Sequence, residues 1–212
     1  EGARSIGRKI GLTSLAVQGQ LGVSEPDFGY LTSDMVLKDG GTLAAGSLLQ
    51  GKAEGEVAFV LARPLRGPGV TAADVLAATD HVVACIEIID SRVENWKIKI
   101  ADTVADNASS AFFVMGQTKK KPHELDLRLA GMTLRRNGAI ESTGVGAACL
   151  DHPANAVAWL ANTLGKLGDT LSAGDIVLSG AYGPVVPFVE GDRCEVAISG
   201  LGRVSCEYGS KR

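Results

Sequence analysis

"GKAEGEVAFVLARPL", residues 51–65, decides the fold. Side chains alternate between the two faces of a strand, so Glu54 and Glu56 share one face, roughly 7 Å apart. Pro64 ends the run, because proline cannot donate to a ladder. A second run, "VVACIEIIDSRV" (82–93), is almost continuously apolar and reads as a strand buried on both faces. Between them "TAADVLAATDHV" (71–82) predicts a helix, with Thr71 as its cap and Leu76 and Ala77 on its apolar face.

The rest of the chain follows the same pattern. "GRKIGLTS" (7–14) reads as a short strand, "AVQGQLGV" (16–23) as a helical turn and "EPDFGYL" (25–31) as a loop with a proline turn. "WKIKIADTVADNASS" (96–110) starts like a strand, with Trp96, Ile98 and Ile100 alternating against Lys97 and Lys99, and then becomes rich in Asp, Asn and Ser. Asp102, Asp106 and Asn107 read as turn formers. "LDLRLAGMTLRRNGAIESTG" (125–144) alternates across Asn137-Gly138, a strong hairpin signal. "HPANAVAWLANTLGKLG" (152–168) is an amphipathic helix with Ala156, Trp159, Leu160 and Thr163 at helical spacing and Gly168 past its end. "DIVLSGAYG" (175–183) and "DRCEVAISGLGRVSCEY" (192–208) read as strands with glycine turns. The 27 glycines between short apolar runs support many short strands joined by tight turns. The fold class is α+β and β-dominated, a barrel-like or rolled sheet with two or three surface helices.

The 212 residues suffice for one core and one domain, residues 1–212. A net charge of −3 gives no reason to expect nucleic acid or an anionic membrane as partner. No run reaches the roughly 18 apolar residues that span a bilayer, and the chain does not open with a signal peptide. The four scattered cysteines (Cys85, Cys149, Cys194, Cys206) read as reduced thiols of a cytoplasmic protein.

Glu87 lies between Ile86 and Ile88 in an otherwise apolar strand. An unpaired buried carboxylate costs several kcal/mol, so something must compensate it. One reading is an ordinary ion pair with Arg63 or Arg92, or Glu54 and Glu56 simply facing solvent. The other is a divalent cation held by Glu54, Glu56 and Glu87, since all-oxygen ligands suit a hard ion such as Mg²⁺ or Mn²⁺. His81, His123 and His152 lack the paired spacing of a zinc site. His152, before a proline at a helix start, reads as structural.

"GRKIGLTS", "LGVSEPDFGYL", "EGEVAFVL", "EIIDSRVENWKIKIADTVADNASS" and "HPANAVAWLANTLG…L…GDIVLSGAYGP" together resemble the 2-oxopent-4-enoate hydratases of aromatic meta-cleavage pathways, in the fumarylacetoacetate hydrolase superfamily. The resemblance implies a mixed β-roll with Mg²⁺ or Mn²⁺ at its mouth, bound at the positions of Glu54, Glu56 and Glu87. It puts Lys9 and Asp27 near the substrate as the catalytic pair, Lys9 assisting charge or proton transfer provided burial and the metal lower its pKa. It also places residues 101–110 beside the metal, where Ser109 or Ser110 offers hydrogen bonds to the substrate carboxylate. The implied reaction is hydration of 2-hydroxypenta-2,4-dienoate to 4-hydroxy-2-oxopentanoate by a cytoplasmic homo-oligomer, with a pathway aldolase or decarboxylase as possible associate. Such hydratases usually carry about fifty further residues ahead of the first of these motifs, so the resemblance implies a segment not in this sequence. The nearest rival is decarboxylation of 2-oxo-3-hexenedioate on the same fold. Hydrolytic C–C cleavage calls for a His–Glu dyad that no histidine here suits, and a non-enzymatic partner subunit is the remaining alternative.

Overall fold

The computed structural model describes residues 2–15, 18–19 and 24–210. The helical turn expected over 16–23 lies largely outside them. Thirteen strands appear in chain order: β1 (Ser5–Gly11), β2 (Asp27–Thr32), β3 (Val36–Leu37), β4 (Gly41–Leu43), β5 (Lys52–Leu61), β6 (Thr79–Ile89), β7 (Ser110–Met115), β8 (Gly131–Arg136), β9 (Ala139–Val145), β10 (Ile176–Leu178), β11 (Val186–Pro187), β12 (Arg193–Ile198) and β13 (Gly202–Tyr208). Among the elements that lie wholly within the described residues, three α-helices accompany them: α1 (Ala72–Ala78), α2 (Ile100–Ala105) and α3 (Pro153–Lys166).

The strands form two mixed sheets, as the β-dominated reading expects. The larger has the order β2-β1-β10-β5-β6-β7-β3, with β11 also paired to β5. The smaller has the order β4-β13-β12-β8-β9. The main core lies between them, where Val57, Phe59, Ile86 and Ile88 pack with Leu134, Val196 and Val204. Gly55 lets the sheets close: a Cβ there would lie 3.0 Å from Met132 Sδ and from both Val196 methyls. The opposite face of β5 and β6 carries a smaller apolar cluster of Ala58, Val83 and Cys85 with Leu31, Phe113 and Leu178. β6 is thus buried on both faces, as its unbroken apolar character predicts.

Local signals are met where the chemistry is local. Asn137 (φ 52°) and Gly138 (φ 87°) make the turn between β8 and β9. Thr71 caps α1 in a reciprocal box with Asp74. That helix stops at Ala78, short of the predicted 82, because Thr79 already pairs with Leu61 in the sheet. It buries Val75 and Ala78, while Ala77 is exposed. His152 has the structural role expected of it: its Nδ1 accepts a hydrogen bond from Ala154 N at 3.0 Å and caps α3. His152→Ala should cost about 1 kcal/mol and lower the melting temperature by about 2–4 °C, read by calorimetry.

Two expectations are corrected. Residues 25–31 hold a strand rather than a loop: β2 begins at Asp27, where it pairs with Gly11. Residues 96–100 form no strand. Glu94–Trp96 make a tight turn with Asn95 and Trp96 at φ 56° and 54°, and Asp102 then accepts a 2.8 Å hydrogen bond from Lys99 N at the start of α2. Local turn and cap bonds prevail there over the alternating pattern. All four cysteines are buried free thiols, even Cys194 and Cys206, which stand opposite each other across β12 and β13. Among the described residues no helix is long and apolar enough to cross a membrane.

Candidate active site

The register of β5 against β6 builds the site. Glu54 stands directly opposite Glu87, and Glu56 opposite Cys85, so Glu56 is the diagonal neighbour of Glu87. Cross-strand partners on one face have Cβ atoms about 5 Å apart. The three carboxylates therefore share one face, and all are buried.

The compensating cation is Lys9 on β1, and neither arginine supplies it. Lys9 Nζ lies 3.2 Å from Glu87 Oε1, with both side chains almost wholly buried. Arg63 bonds the Ala77 carbonyl instead, and Arg92 pairs with Asp106 at 3.4 Å. Four acids crowd this one lysine. Burial pushes the Lys9 ammonium down, but Glu87, Asp27, Glu54 and Glu56 outweigh it and hold its pKa above the ordinary lysine range. These four acids therefore favour a charged Lys9 that donates a proton or hydrogen bond. Burial, and then the charge of Glu87, push Glu54 up to about 8. Burial, Glu87 and Glu54 likewise raise Glu56 well above the carboxylate range, although Gly180 N donates to its Oε2.

The site has unmet polar capacity. Glu56 Oε1, both Glu87 oxygens and Asp27 Oδ1 are buried and accept no hydrogen bond. The Lys9–Glu87 contact is thus one of charge and distance without a directional bond. Such groups are rare in native interiors and call for a missing ion or water. The donors are hard oxygens, the kind Mg²⁺ or Mn²⁺ takes. Among the described residues, however, no three acidic, histidine or cysteine side chains converge as a ready cation cluster. The set fits a divalent ion in donor chemistry and burial, and an ion would have to draw the carboxylates together.

A cavity of about 710 Å³ adjoins this face. Lys9, Asp27 and Glu54 reach it, whereas Glu56 and Glu87 lie behind. Ile89, Trp96, Ile98, Pro184 and Val185 supply apolar wall. Ser109 reaches the cavity too, but its hydroxyl already donates to Asp106 Oδ2 at 3.0 Å. Ser110 is fully buried and is not part of the lining. Of the two serines, then, only Ser109 meets the cavity, and its proton is committed elsewhere.

The Asx residues do shape the loop. Asp106 Oδ2 also accepts from Arg92 N at 3.1 Å, and Asn107 bonds both Tyr30 N and Tyr30 O, at 2.7 and 3.0 Å. Asn107, Ala108 and Ser109 all have positive φ, 55°, 51° and 53°. Three successive left-handed non-glycine residues are costly, and such strain persists only where surrounding contacts enforce it, often beside a functional site. Sequence reasoning missed Trp96 and Ile98 as cavity wall and the Gly180 amide as partner of Glu56. Trp96 carried a signal, as a tryptophan among charged residues in a chain with only 5% aromatics. The Gly180 amide carried none.

A two-sheet roll with buried acids and one lysine beside an apolar cavity defines a small-molecule enzyme centred on hard oxygen donors. Residues 10–207 match the family model described as Fumarylacetoacetate (FAA) hydrolase C-terminal, and the chain belongs to that family. It is similar to 2-keto-4-pentenoate hydratase 1 of Dechloromonas aromatica (strain RCB), with 54% identity over 208 residues, 98% of this chain and 79% of the relative. It is also similar to 2-hydroxyhexa-2,4-dienoate hydratase of Comamonas testosteroni, with 52% identity over 209 residues, 98% of this chain and 79% of the relative. Among solved structures it resembles 4-oxalocrotonate decarboxylase from Pseudomonas putida G7, complexed with magnesium and adipate, with a TM-score of 0.94 and 40% identity over 98% of this chain and 79% of that one.

Proposed function

We infer that the chain is a hydro-lyase that adds water to 2-hydroxypenta-2,4-dienoate and yields 4-hydroxy-2-oxopentanoate. The carrying observation is the likeness to hydratases of such dienoates, above half identity over nearly the whole chain. The cavity agrees with a short monocarboxylate. Among its described lining residues Lys9 is the one cation, with no arginine beside it. A dicarboxylate such as 2-oxo-3-hexenedioate would call for a second cationic group. The decarboxylase reading keeps its place as the alternative because that solved structure shares the fold at 40% identity.

We further propose that Glu54, Glu56 and Glu87 hold Mg²⁺ or Mn²⁺. The buried oxygens of Glu56 and Glu87 that accept no hydrogen bond support this, as does the magnesium in the related decarboxylase. When bound, the ion supplies Lewis-acid stabilisation of negative charge on the C2 oxygen.

The remaining work falls to the chain itself. Lys9, kept charged by its four acids, donates to the substrate carboxylate or C2 oxygen as the enol proton leaves. C5 gains a proton, which gives the 2-oxo-3-enoate. Water then adds to C4, conjugate to the ketone, and C3 takes a proton. Asp27, with one buried oxygen that accepts no hydrogen bond, orients that water and receives its proton. The apolar walls at Ile89, Trp96 and Ile98 limit bulk water around the diene. The same reading puts the reaction in the meta-cleavage breakdown of aromatic compounds, catalysed by a homo-oligomer.

The test is absorbance of freshly generated 2-hydroxypenta-2,4-dienoate, with Mg²⁺ or Mn²⁺ and with chelator, and the product identified by mass. Metal-dependent loss of the dienoate with gain of one water is the expected result. Carbon dioxide from 2-oxo-3-hexenedioate, with no turnover of the dienoate, would move the assignment to the decarboxylase.

A further inference from the structure

We propose that Trp96 is the wall that sets how long a substrate the cavity accepts. The inference rests on the hydratase reading for the identity of the substrate, but its geometry is independent of it. On the face of β5 and β6 that carries the carboxylates, the pair beyond Glu54–Glu87 is Lys52 opposite Ile89. Same-face residues of a strand are about 7 Å apart. Trp96 is tied to this next row through Lys52, whose Nζ lies 4.0 Å from the centroid of its ring. A substrate anchored by its carboxylate near Lys9 and Glu54 therefore meets the indole within the reach of a short dienoate.

Behind the indole lies a second space, mostly apolar, with Gln50, Lys52 and Glu190 also on its border. This cavity of about 420 Å³, bordered by Leu48, Leu49, Pro187, Phe188 and Val189, also has Trp96 in its wall. Trp96 is thus common to both cavities.

The partition is held from three sides. Trp96 Nε1 donates to the Gln50 carbonyl at 3.0 Å. Gln50 in turn is fixed by Nε2 bonds to Ser91 O and Val93 O, at 2.8 and 2.5 Å. Lys52 adds a cation–π contact to the ring. The left-handed backbone at Asn95 and Trp96 fixes the direction in which the side chain leaves the turn. The indole cannot swing aside without losing these contacts. Its removal would join the two apolar spaces and admit 2-hydroxy-2,4-dienoates or 2-oxo acids extended at C5 by an alkyl or phenyl group.

The experiment compares the wild-type chain with Trp96→Ala, Trp96→Leu and Trp96→Phe, all with Mn²⁺. The first readout is the ratio of kcat/KM for the C5-phenyl dienoate to that for 2-hydroxypenta-2,4-dienoate. The second needs no turnover: calorimetric binding of 2-oxopentanoate against 2-oxo-5-phenylpentanoate. Trp96→Ala should move both ratios toward the phenyl compound, on the order of tenfold or more. Trp96→Leu should move them less in the same direction, and it carries the test if the alanine variant unfolds. Trp96→Phe, which loses the bond to Gln50 but keeps an aromatic wall, should stay near the wild-type ratio. Should the wild type hydrate neither dienoate while the alanine variant gains binding of the phenyl acid, the wall stands and the hydratase reading falls. Unmoved ratios in the folded variants, a parallel loss of both compounds, or no binding of either acid to any variant would overturn the proposal.

Discussion

Replacing Glu87 with glutamine is expected to lower kcat/KM for dienoate hydration by on the order of a thousandfold. Glu87 occupies the centre of the acidic face, directly opposite Glu54 and diagonal to Glu56. Both of its oxygens are buried and accept no hydrogen bond, so beyond the ion pair with Lys9 they are open to an ion. Glutamine keeps the volume and removes the charge. The ion would lose one of three anionic ligands, and Lys9 would lose its nearest counter-charge, now at 3.2 Å. The variant should still fold, because loss of that charge relieves the repulsion that helps raise Glu54 and Glu56. Kinetics should be read beside a calorimetric Mn²⁺ titration and a melting curve. A folded glutamine variant that binds Mn²⁺ as the wild type does would end the three-carboxylate model.

The second large effect is a pH-dependent response of stability to metal. Burial and Glu87 raise Glu54 from an ordinary 4.5 to about 8. The folded state therefore keeps a proton up to about 8 that the unfolded state releases near 4.5. Stability from this group is complete below the lower value and is lost as pH rises through the upper one. Glu56, raised in the same direction, adds to the loss. The metal-stripped protein should thus lose on the order of several kcal/mol of stability from pH 5 to pH 8 and melt at progressively lower temperature. Mg²⁺ or Mn²⁺ competes with those protons. The rise in melting temperature on adding metal should therefore be small at pH 5.5 and large at pH 8. A rise that is equal at both values would show that the ion binds away from the raised carboxyls.

These effects depend on residues whose meaning was only partly legible in the chain. The parity of Glu54 and Glu56 is a property of one strand, and alternation alone determines it. The awkwardness of Glu87 was equally plain, because a charge between two isoleucines in an apolar strand demands a partner wherever the strand lies. The hairpin at Asn137-Gly138, the cap at Thr71 and the structural role of His152 were readable for the same reason: each is a contact within a few residues. The strand pattern at 96–100 misled, because the left-handed turn at Asn95 and Trp96 and the cap at Asp102 outweigh alternation there.

By itself, then, the sequence determined the β-dominated class, the shared face of Glu54 and Glu56, the burial of Glu87 and the family that these motifs resemble. Tertiary structure alone decided that Glu54 stands opposite Glu87, because a one-residue slip in register would have turned one strand's carboxylates to the other face. It also decided that Lys9 is the compensating cation rather than Arg63 or Arg92. Lys9 comes from β1, which reaches β5 only through β10, a strand more than 160 residues further along the chain. Likewise Trp96 became the boundary between two cavities only through its bond to Gln50 and its contact with Lys52. Alternation and capping are local, so they survive in one dimension. Register, ion pairing and enclosure join distant segments, and they exist only once the sheets have closed.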